Sequence, residues 1–278
     1  MIILNQMRCK SMQNLIVLGT GHALVTQCYN TCFALTNDDD YILIDGGGGN
    51  GILSQLQKAK IPYAKIHHAF VSHGHTDHLL GMVWVIRMIG SAMAAGKYEG
   101  DFKLYCHDEL ASALHALVKI TMDKQIIDLI SRRIHIISVA DGQQEELLGH
   151  TFTFFDLHSA KAKQFGFKIH LDCDKKLAFI GDEPYHPLCQ KYVENSDWLL
   201  CEAFCLYAER ELFKPYEKNH STVKDSCQLA TLLNIKNLIL WHTEDKNIGK
   251  RKALYTAEGK QYYKGNLFVP DDFDVIAL

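Results

Sequence analysis

The 278-residue sequence predicts an α/β fold with four layers, an αββα sandwich in which two β-sheets pack face to face and each carries helices outside. Three observations support this prediction. Short β-branched runs alternate with helical segments, the alternation occurs in both halves of the chain, and no Pro-rich or Ser-rich linker separates the halves. One doubly wound parallel sheet stays open as the alternative, because periodicity does not order the strands.

In the first half, strands are predicted where apolar runs are bounded by turn residues. They cover 15–18, 32–35, 41–44, 66–71, 102–106 and 134–139, with helices over 52–60, 79–95 and 108–122. An Asn-Asp-Asp-Asp turn at 37–40 joins the second and third strands. The glycine run 46–49 is interpreted as a tight turn, because no Lys-Ser or Lys-Thr follows it as a phosphate loop requires.

The second half repeats this alternation. Strands are predicted over 151–157, 165–171, 176–180, 197–201, 237–241 and 267–269, and helices over 222–233 and 250–263. A turn at Asp172-Cys173-Asp174 joins two of the strands. We expect a single domain over 1–278, with residues 1–12 as a disordered or non-native extension, because the first credible strand begins after Met12.

The composition is that of an ordinary soluble globular protein, with 47% apolar and 22% charged residues. The net charge of −3 creates no strong field for nucleic acid or an anionic membrane. Nine cysteines lie singly without a CxxC pair, which indicates buried thiols in a reducing cytoplasm. Gly81, Arg87 and Gly90 interrupt the longest apolar stretch, so we expect a buried helix there and no membrane partner.

The segment Ser72-His73-Gly74-His75-Thr76-Asp77-His78 carries the strongest chemical signal among the fifteen histidines. His73 and His75 are two positions apart after a strand, so both imidazoles can face one cation. Asp77 and His78 open the next helix and offer a carboxylate and an imidazole to a neighbouring point. Nitrogen and oxygen ligands without thiolate suit zinc, although manganese or iron can enter the same set. A solvated loop with three histidines is the alternative, and the strand-to-helix junction disfavours it.

Three further candidates follow predicted strands: His158, Asp182 and His242. Functional groups often lie on loops at the ends of a rigid scaffold. Taken singly, a histidine at a strand end is more often an ordinary polar residue than a ligand. Their order along the chain, after the histidine segment, makes these three residues candidates for completing a metal site.

Together these residues resemble, in order, the seven ligands of dinuclear metallo-β-lactamase-fold hydrolases, and the chain is most similar to the ribonuclease Z branch. The resemblance runs from Gly19-Thr20-Gly21 to Val269-Pro270-Asp271. It implies two zinc ions, with manganese or iron as alternatives. It also implies the ligand assignment: His73, His75 and His158 for one metal, Asp77, His78 and His242 for the second, and Asp182 as the bridge.

Less specific motifs support the similarity to the ribonuclease Z branch. Asn219-His220-Ser221-Thr222 is similar to the His-Ser-Thr motif of ribonuclease Z, which implies that His220 donates a proton to the leaving oxygen. Glu202 would support that histidine, because a carboxylate fixes the tautomer and stabilises the protonated ring. Asp45, in Leu43-Ile44-Asp45-Gly46, would orient metal-binding groups. The alternative is that Ser221-Thr222 simply caps the next helix and His220 is incidental.

Three departures separate the chain from a tRNA-maturing enzyme of this branch. The interval from His158 to Asp182 is too short for the tRNA-gripping arm of ribonuclease Z. Glu183 stands where the branch has threonine after Gly-Asp, and an acidic Thr243-Glu244-Asp245 follows His242. A basic cluster could substitute for the arm, although we interpret it as a solvated helix start; it comprises Lys246, Lys250, Arg251 and Lys252.

The leading hypothesis for the function is therefore a phosphodiesterase with a metal-bridging hydroxide as the nucleophile. Asp77 or Asp182 would accept the water's proton, and His220 would protonate the departing alkoxide. A small phosphodiester such as a cyclic nucleotide is the expected substrate, ahead of an RNA 3′ end. A lactone, thioester or amide hydrolase, or a catalytically silent metal-binding module, stays open, as does a homodimer.

Overall fold

Two seven-stranded mixed sheets form the centre of the protein, seen in a computed structural model that describes residue 12, residues 14–37 and residues 39–278. The first sheet has the order β14-β1-β2-β3-β4-β5-β6. Its strands are β1 (Asn14–Gly19), β2 (Cys32–Thr36), β3 (Tyr41–Ile44), β4 (Ile66–Phe70), β5 (Phe102–Cys106), β6 (Ile134–Ser138) and β14 (Val275–Ala277). Strands β3 to β6 run parallel, and the other neighbours pair antiparallel.

The second sheet mirrors this arrangement, with the order β13-β12-β11-β10-β9-β8-β7. Its strands are β7 (Gln144–Leu147), β8 (His150–Asp156), β9 (Phe165–His170), β10 (Lys176–Phe179), β11 (Trp198–Glu202), β12 (Asn237–Trp241) and β13 (Asn266–Phe268). Strands β10 to β13 run parallel, whereas β7 to β10 are antiparallel. The predicted strands are confirmed to within two residues at each end, and the turn at 172–174 joins β9 to β10.

Helices cover the outer face of each sheet and complete the predicted αββα sandwich. They are α1 (Gly51–Lys58), α2 (Thr76–Ala94), α3 (Asp108–Thr121), α4 (Lys124–Ile127), α5 (Gln190–Val193), α6 (Arg210–Phe213), α7 (Val223–Leu232) and α8 (Arg251–Gly259). The apolar stretch after the histidine segment is α2, which buries one side against the first sheet as expected. Among the described residues, no helix is long and apolar enough to cross a membrane.

Aromatic side chains fill the space between the two sheets. Phe33, Phe70 and Phe179 are almost fully buried there, with Phe167 and Trp241 in ring contact with Phe179. Burial of one such side chain contributes about 2–3 kcal/mol relative to its exposure. This layer therefore holds the two sheets at a fixed separation, and with them the strand ends that carry the candidate site.

Two features were not expected from the sequence. Strands β7 and β14 lie at sheet edges, and the sequence of β7 is Gln-Glu-Glu-Leu, which has no apolar run.

Residues 1–11 of the expected extension lie outside the described residues. Met12 is described, and it is buried between the sheets, where its backbone N–H donates to Nε2 of His150 at 2.8 Å.

The glycine run connects β3 to α1 with a bend at residues 48–49, and it packs against α2. The backbone N–H of Gly46 donates to the carbonyl of His78, and that of Gly81 donates to the carbonyl of Gly47, each at 2.8 Å. A Cβ on Gly81 would lie 1.8 Å from the Gly46 carbonyl oxygen. The chain therefore needs glycine here so that the turn can approach the first helical turns after His75.

Candidate metal site

The candidate residues meet because parallel strands of both sheets end at the same edge of the sandwich. Asp45 follows β3 and the histidine segment follows β4 in the first sheet. Asp182, Glu202 and His242 lie at or just after the ends of β10, β11 and β12 in the second. Asp45 and His242 have φ values of 55° and 54°. Such left-handed backbone turns a side chain sharply out of its strand at a cost of about 1–3 kcal/mol.

His73, His75 and Asp182 form the first group of ligand atoms, all within 4.8 Å of one another. Nε2 of His73 lies 2.9 Å from Nδ1 of His75 and 3.6 Å from Oδ1 of Asp182. His73 is fully buried. Burial lowers the pKa of His73 well below its ordinary value, which keeps the imidazole in the neutral form that binds metal.

Asp77, His78 and His242 form the second group, also within 4.8 Å. Oδ2 of Asp77 lies 3.4 Å from Nε2 of both histidines. Oδ2 of Asp182 faces the same nitrogen atoms, at 3.6 Å from His78 and 3.4 Å from His242. One oxygen of Asp182 therefore faces the first group and the other faces the second, which is the arrangement of a bridging carboxylate.

These donors fit a divalent cation. Nε2 of His78 and Oδ1 of Asp182 are buried and have no hydrogen-bond partner among the described residues. Buried polar atoms without a partner are costly, and a bound cation would satisfy both. Although burial favours the protonated carboxyl, His73 and His242 hold the pKa of Asp182 well below its ordinary value. The carboxylate form that binds metal is therefore the stable one.

Asp45 and Ser72 orient two of the imidazoles. Oδ2 of Asp45 lies 2.7 Å from Nδ1 of His78, and Oδ1 accepts the backbone N–H of Ser72 at 2.8 Å. The Ser72 hydroxyl donates to Asp45 at 2.9 Å and lies 3.0 Å from Nδ1 of His73. Both histidines are thereby held through Nδ1, which leaves Nε2 for the cluster. Sequence reasoning assigned no role to Ser72, although its position beside His73 was the available signal.

His220 lies beside the second group and is held by Glu202. Nδ1 of His220 is 2.6 Å from Oε2 of Glu202, and the backbone N–H of Ser221 donates to Oε1 at 2.7 Å. Burial raises the pKa of Glu202 and lowers that of His220. His220 also groups with Asp182 and His242 within 4.8 Å. The expected His220–Glu202 pair is thus present at the edge of the cluster.

The alternative interpretation, in which the segment Asn219-His220-Ser221-Thr222 caps the next helix, is correct for Thr222. Thr222 caps α7 through a reciprocal capping box with Asp225. The preceding His220 instead stacks on Phe204, with ring centroids 4.9 Å apart and planes 6° from parallel. The cap thus anchors the segment while the Phe204 ring and Glu202 set the orientation of the imidazole.

His158 stands apart from these groups. It has a φ of 56° after β8, its side chain is exposed, and its ring lies 5.2 Å from that of His186. It belongs to none of the metal-binding groups found among the described residues. The structure therefore brings together six of the seven ligands that the resemblance implies, and the role of His158 stays a prediction.

Glu183 and Lys161 form a contact that sequence reasoning missed. Glu183 is 3% exposed, and its Oε1 lies 3.3 Å from Nζ of Lys161. Gln164 donates to the same oxygen at 3.2 Å, and Asn219 donates to the other. Burial raises the pKa of Glu183, and the charge of Lys161 opposes that rise. The only signal in the sequence was the replacement of threonine by glutamate after Asp182.

The basic cluster after His242 is not a continuous surface patch. Arg251 is fully buried, and its guanidinium donates to the hydroxyl of Thr243 at 2.7 Å and to the carbonyl of Pro270 at 2.9 Å. Lys252 forms an ion pair with Asp274 at 3.0 Å. Arg251 therefore holds the loop after β12 in place, and we correct its sequence-based assignment to a solvated helix start.

Comparison with known proteins agrees with the fold. The curated ribonuclease Z of Thermococcus sibiricus is 25% identical over 305 residues, covering 96% of this chain and 97% of that protein. The metallo-β-lactamase-fold protein YhfI from Bacillus subtilis superposes with a TM-score of 0.79 at 17% identity, covering 96% of this chain and all of that one. The short form of human tRNase Z has a TM-score of 0.71 at 20% identity, covering 95% and 98%.

Residues 13–258 match the family described as anti-Pycsar protein Apyc1, which is most of the chain. His73, Asp77 and Asp182 belong to the groups of ligand atoms that could hold a divalent metal ion. The chain therefore belongs to the anti-Pycsar protein Apyc1 family and is a metal-dependent hydrolase of the metallo-β-lactamase fold, related to ribonuclease Z.

Proposed function

We propose that the protein hydrolyses a phosphodiester at a dinuclear centre, with zinc as the first choice of metal and manganese or iron as alternatives. The single observation that carries this proposal is the His220–Glu202 pair, held at 2.6 Å beside two groups of ligand atoms, with Asp182 in the first group and facing the second. Such a pair suits protonation of a leaving alkoxide. A zinc-bound PqqB from Methylobacterium extorquens, with a TM-score of 0.71 at 14% identity, supports the choice of metal.

Each of the two groups of ligand atoms would hold one metal ion. His73 and His75 would hold one ion, with His158 if its ring turns inward, and Asp77, His78 and His242 the other, with Asp182 between them. Bound there, the two ions would lower the pKa of a water molecule and stabilise negative charge on the phosphate. Asp45 would keep His78 in the ligating tautomer through the 2.7 Å contact at Nδ1.

The chain's own side chains would move the protons. Asp182 or Asp77 would accept the proton of the attacking water, because neighbouring histidines hold the pKa of both carboxyls well below the ordinary value and so keep them ionised. His220 would hold a proton at Nε2 for the departing oxygen, and Glu202 at Nδ1 would stabilise the protonated ring. Stacking on Phe204 would restrict the imidazole to this orientation.

A small phosphodiester such as a cyclic nucleotide is the substrate class we propose. The interval from His158 to Asp182 holds only β9, β10 and three short connecting segments, so it offers no arm for a folded RNA. A diphosphatase from the PhnP family is among the structural neighbours, with a TM-score of 0.72 at 17% identity. An RNA 3′ end is the less favoured substrate, and the homodimer stays a prediction.

The test compares bis(p-nitrophenyl) phosphate with p-nitrophenyl acetate for the same metal-loaded preparation. We expect metal-dependent turnover of the phosphodiester, abolished by a chelator and restored by zinc or manganese. Turnover of the carboxylic ester alone would establish an ester-type hydrolase instead. Tight metal binding without turnover of either compound would indicate a silent metal-binding module.

A further inference from the structure

A short loop between β8 and β9 carries a lysine toward the candidate metal site. The backbone N–H of Leu157 donates to the carbonyl of Gln164 at 2.9 Å, which closes the loop at its base. Within the loop, the Lys161 ammonium pairs with Glu183 at 3.3 Å, and Glu183 directly follows Asp182 in the chain. The loop that takes the place of a long insertion therefore places a positive charge against Glu183, the residue that follows Asp182.

Glu183 holds the Lys161 ammonium in a fixed position. Its carboxylate is almost fully buried and accepts amide hydrogen bonds from Gln164 and from Asn219, the residue before His220. The Glu183 carboxylate therefore connects three parts of the site: the end of β10, the β8–β9 loop and the segment that carries His220. A lysine paired with such a group loses little further freedom when it binds a second anion.

The Lys161 ammonium keeps the capacity to bind an anion. An ammonium has three donors, and the pair with Glu183 uses one. The side chain is 27% exposed, whereas that of Glu183 is 2% exposed, so the charged end lies at the boundary between the buried site and solvent. Burial lowers the pKa of His220 and the charge of Lys161 lowers it further, which is consistent with an ammonium near the cluster.

We propose that Lys161 is a substrate-binding residue of this site, whose ammonium contacts a non-bridging oxygen of the phosphoryl group, with Glu183 as its positioning residue. This inference rests on the proposed function, because it takes the substrate to be a phosphodiester. It also explains why glutamate replaces threonine after Asp182: the acid is needed to hold the lysine. An ammonium and an ionised phosphate form a charge-assisted hydrogen bond, which is stronger than a hydrogen bond between neutral groups.

Lys163 supplies a matched control from the same loop. Its ammonium pairs with Asp108, at the start of α3, at 2.5 Å, so it is committed to a different neighbour. The experiment measures the affinity of inorganic phosphate for metal-loaded wild type, Lys161→Met, Lys161→Arg and Lys163→Met by calorimetry. Metal content is measured for each protein by elemental analysis, and KM and kcat are measured with bis(p-nitrophenyl) phosphate.

We expect Lys161→Met to weaken phosphate binding roughly tenfold or more, with metal content unchanged. KM should rise by a comparable factor, Lys161→Arg should restore most of the affinity, and Lys163→Met should change it less than about twofold. Equal phosphate affinity in wild type and Lys161→Met, or no phosphate binding to wild type, would overturn the inference. Loss of metal in Lys161→Met would overturn it too, because the residue would then act through the structure of the site.

The two proposals fail in different ways. If metal-loaded wild type does not hydrolyse the phosphodiester but binds phosphate through Lys161, the proposed function fails and the anion site at Lys161 stands. If the phosphodiester is hydrolysed and phosphate affinity does not depend on Lys161, the function stands and the inference fails. Phosphate affinity is measured without turnover, so an inactive preparation does not decide the result.

Discussion

Nδ1 of His220 lies 2.6 Å from Oε2 of Glu202, a fully buried carboxyl whose other oxygen accepts the backbone N–H of Ser221. This contact joins the end of β11 to the segment before α7, 18 positions along the chain. Burial disfavours the charged form of each partner, raising the pKa of Glu202 and lowering that of His220. Both shifts favour the uncharged pair, with one proton between Nδ1 and Oε2.

Removal of the His220 imidazole should slow the chemistry without releasing metal. We expect His220→Ala to lower kcat for bis(p-nitrophenyl) phosphate by a general-acid factor of roughly 10²–10⁴. Glu202→Gln should cause a smaller fall, because the imidazole stays while its orientation and charge support weaken. Metal content is measured alongside. If His220→Ala loses metal, the residue is a ligand, which its grouping with Asp182 and His242 would accommodate.

The number of metal ions per chain tests whether His158 is a metal ligand. We expect two metals per chain in wild type and one fewer in His158→Ala, because the resemblance assigns His158 to the ion held by His73 and His75. In the structure its ring instead lies 5.2 Å from His186, so it must turn to reach that ion. His186→Ala is the matched control and should keep both metals. Two metals in His158→Ala would remove His158 from the ligand set.

Local sequence patterns predicted most of the fold, and they marked as candidates the six residues that cluster in the structure. Strands such as β4 and β12 are apolar runs bounded by turn residues, and the spacing of His73 and His75 follows from extended geometry. Strand β7 was missed because its polar residues pair only at a sheet edge. The contact between Lys161 and Glu183 was missed because it depends on how two loops fold back, which no local pattern records.

The glycine at position 81 should be essential for stability. A Cβ there would lie 1.8 Å from the Gly46 carbonyl oxygen, so the turn or α2 must move. We expect Gly81→Ala to lower the free energy of unfolding by about 3 kcal/mol or more, measured by urea denaturation. Gly49→Ala is the control from the same turn, since nothing lies within 4 Å of its Cβ position. Equal unfolding midpoints for the two variants would contradict this prediction.

Stability should also fall in mild acid because of His68, which lies outside the site on β4. Burial, and then the charge of the cross-strand Lys103, lower the pKa of His68 from 6.5 to about 4. Between these pH values the unfolded chain binds a proton at His68 that the folded chain excludes. The stabilising effect of the neutral ring is thus complete above pH 6.5 and declines as the pH falls toward 4.

Substitution His68→Phe removes this titration and should flatten the dependence of the unfolding midpoint on pH between 6.5 and 4. The measurement is urea denaturation across that range, with metal-free protein so that metal release does not contribute. His115→Phe is the control, because His115 is exposed on α3. If both variants keep the slope of wild type, the half-buried His68 ring does not account for the loss of stability in acid.

Substrate size is the last property that the structure predicts. A tRNA-processing enzyme uses contacts far from the scissile bond to position its substrate, and that binding energy offsets the cost of orientation. Here the interval from His158 to Asp182 provides no arm, and the buried Arg251 cannot contribute to an RNA-binding surface. We therefore expect a much lower kcat/KM for a precursor tRNA than for a cyclic nucleotide, measured with one metal-loaded preparation. Lys163→Met should leave this ratio unchanged, since Lys163 pairs with Asp108. Efficient, site-specific removal of the tRNA 3′ trailer would instead assign the chain to tRNA maturation, and the missing arm would need a substitute elsewhere on the surface.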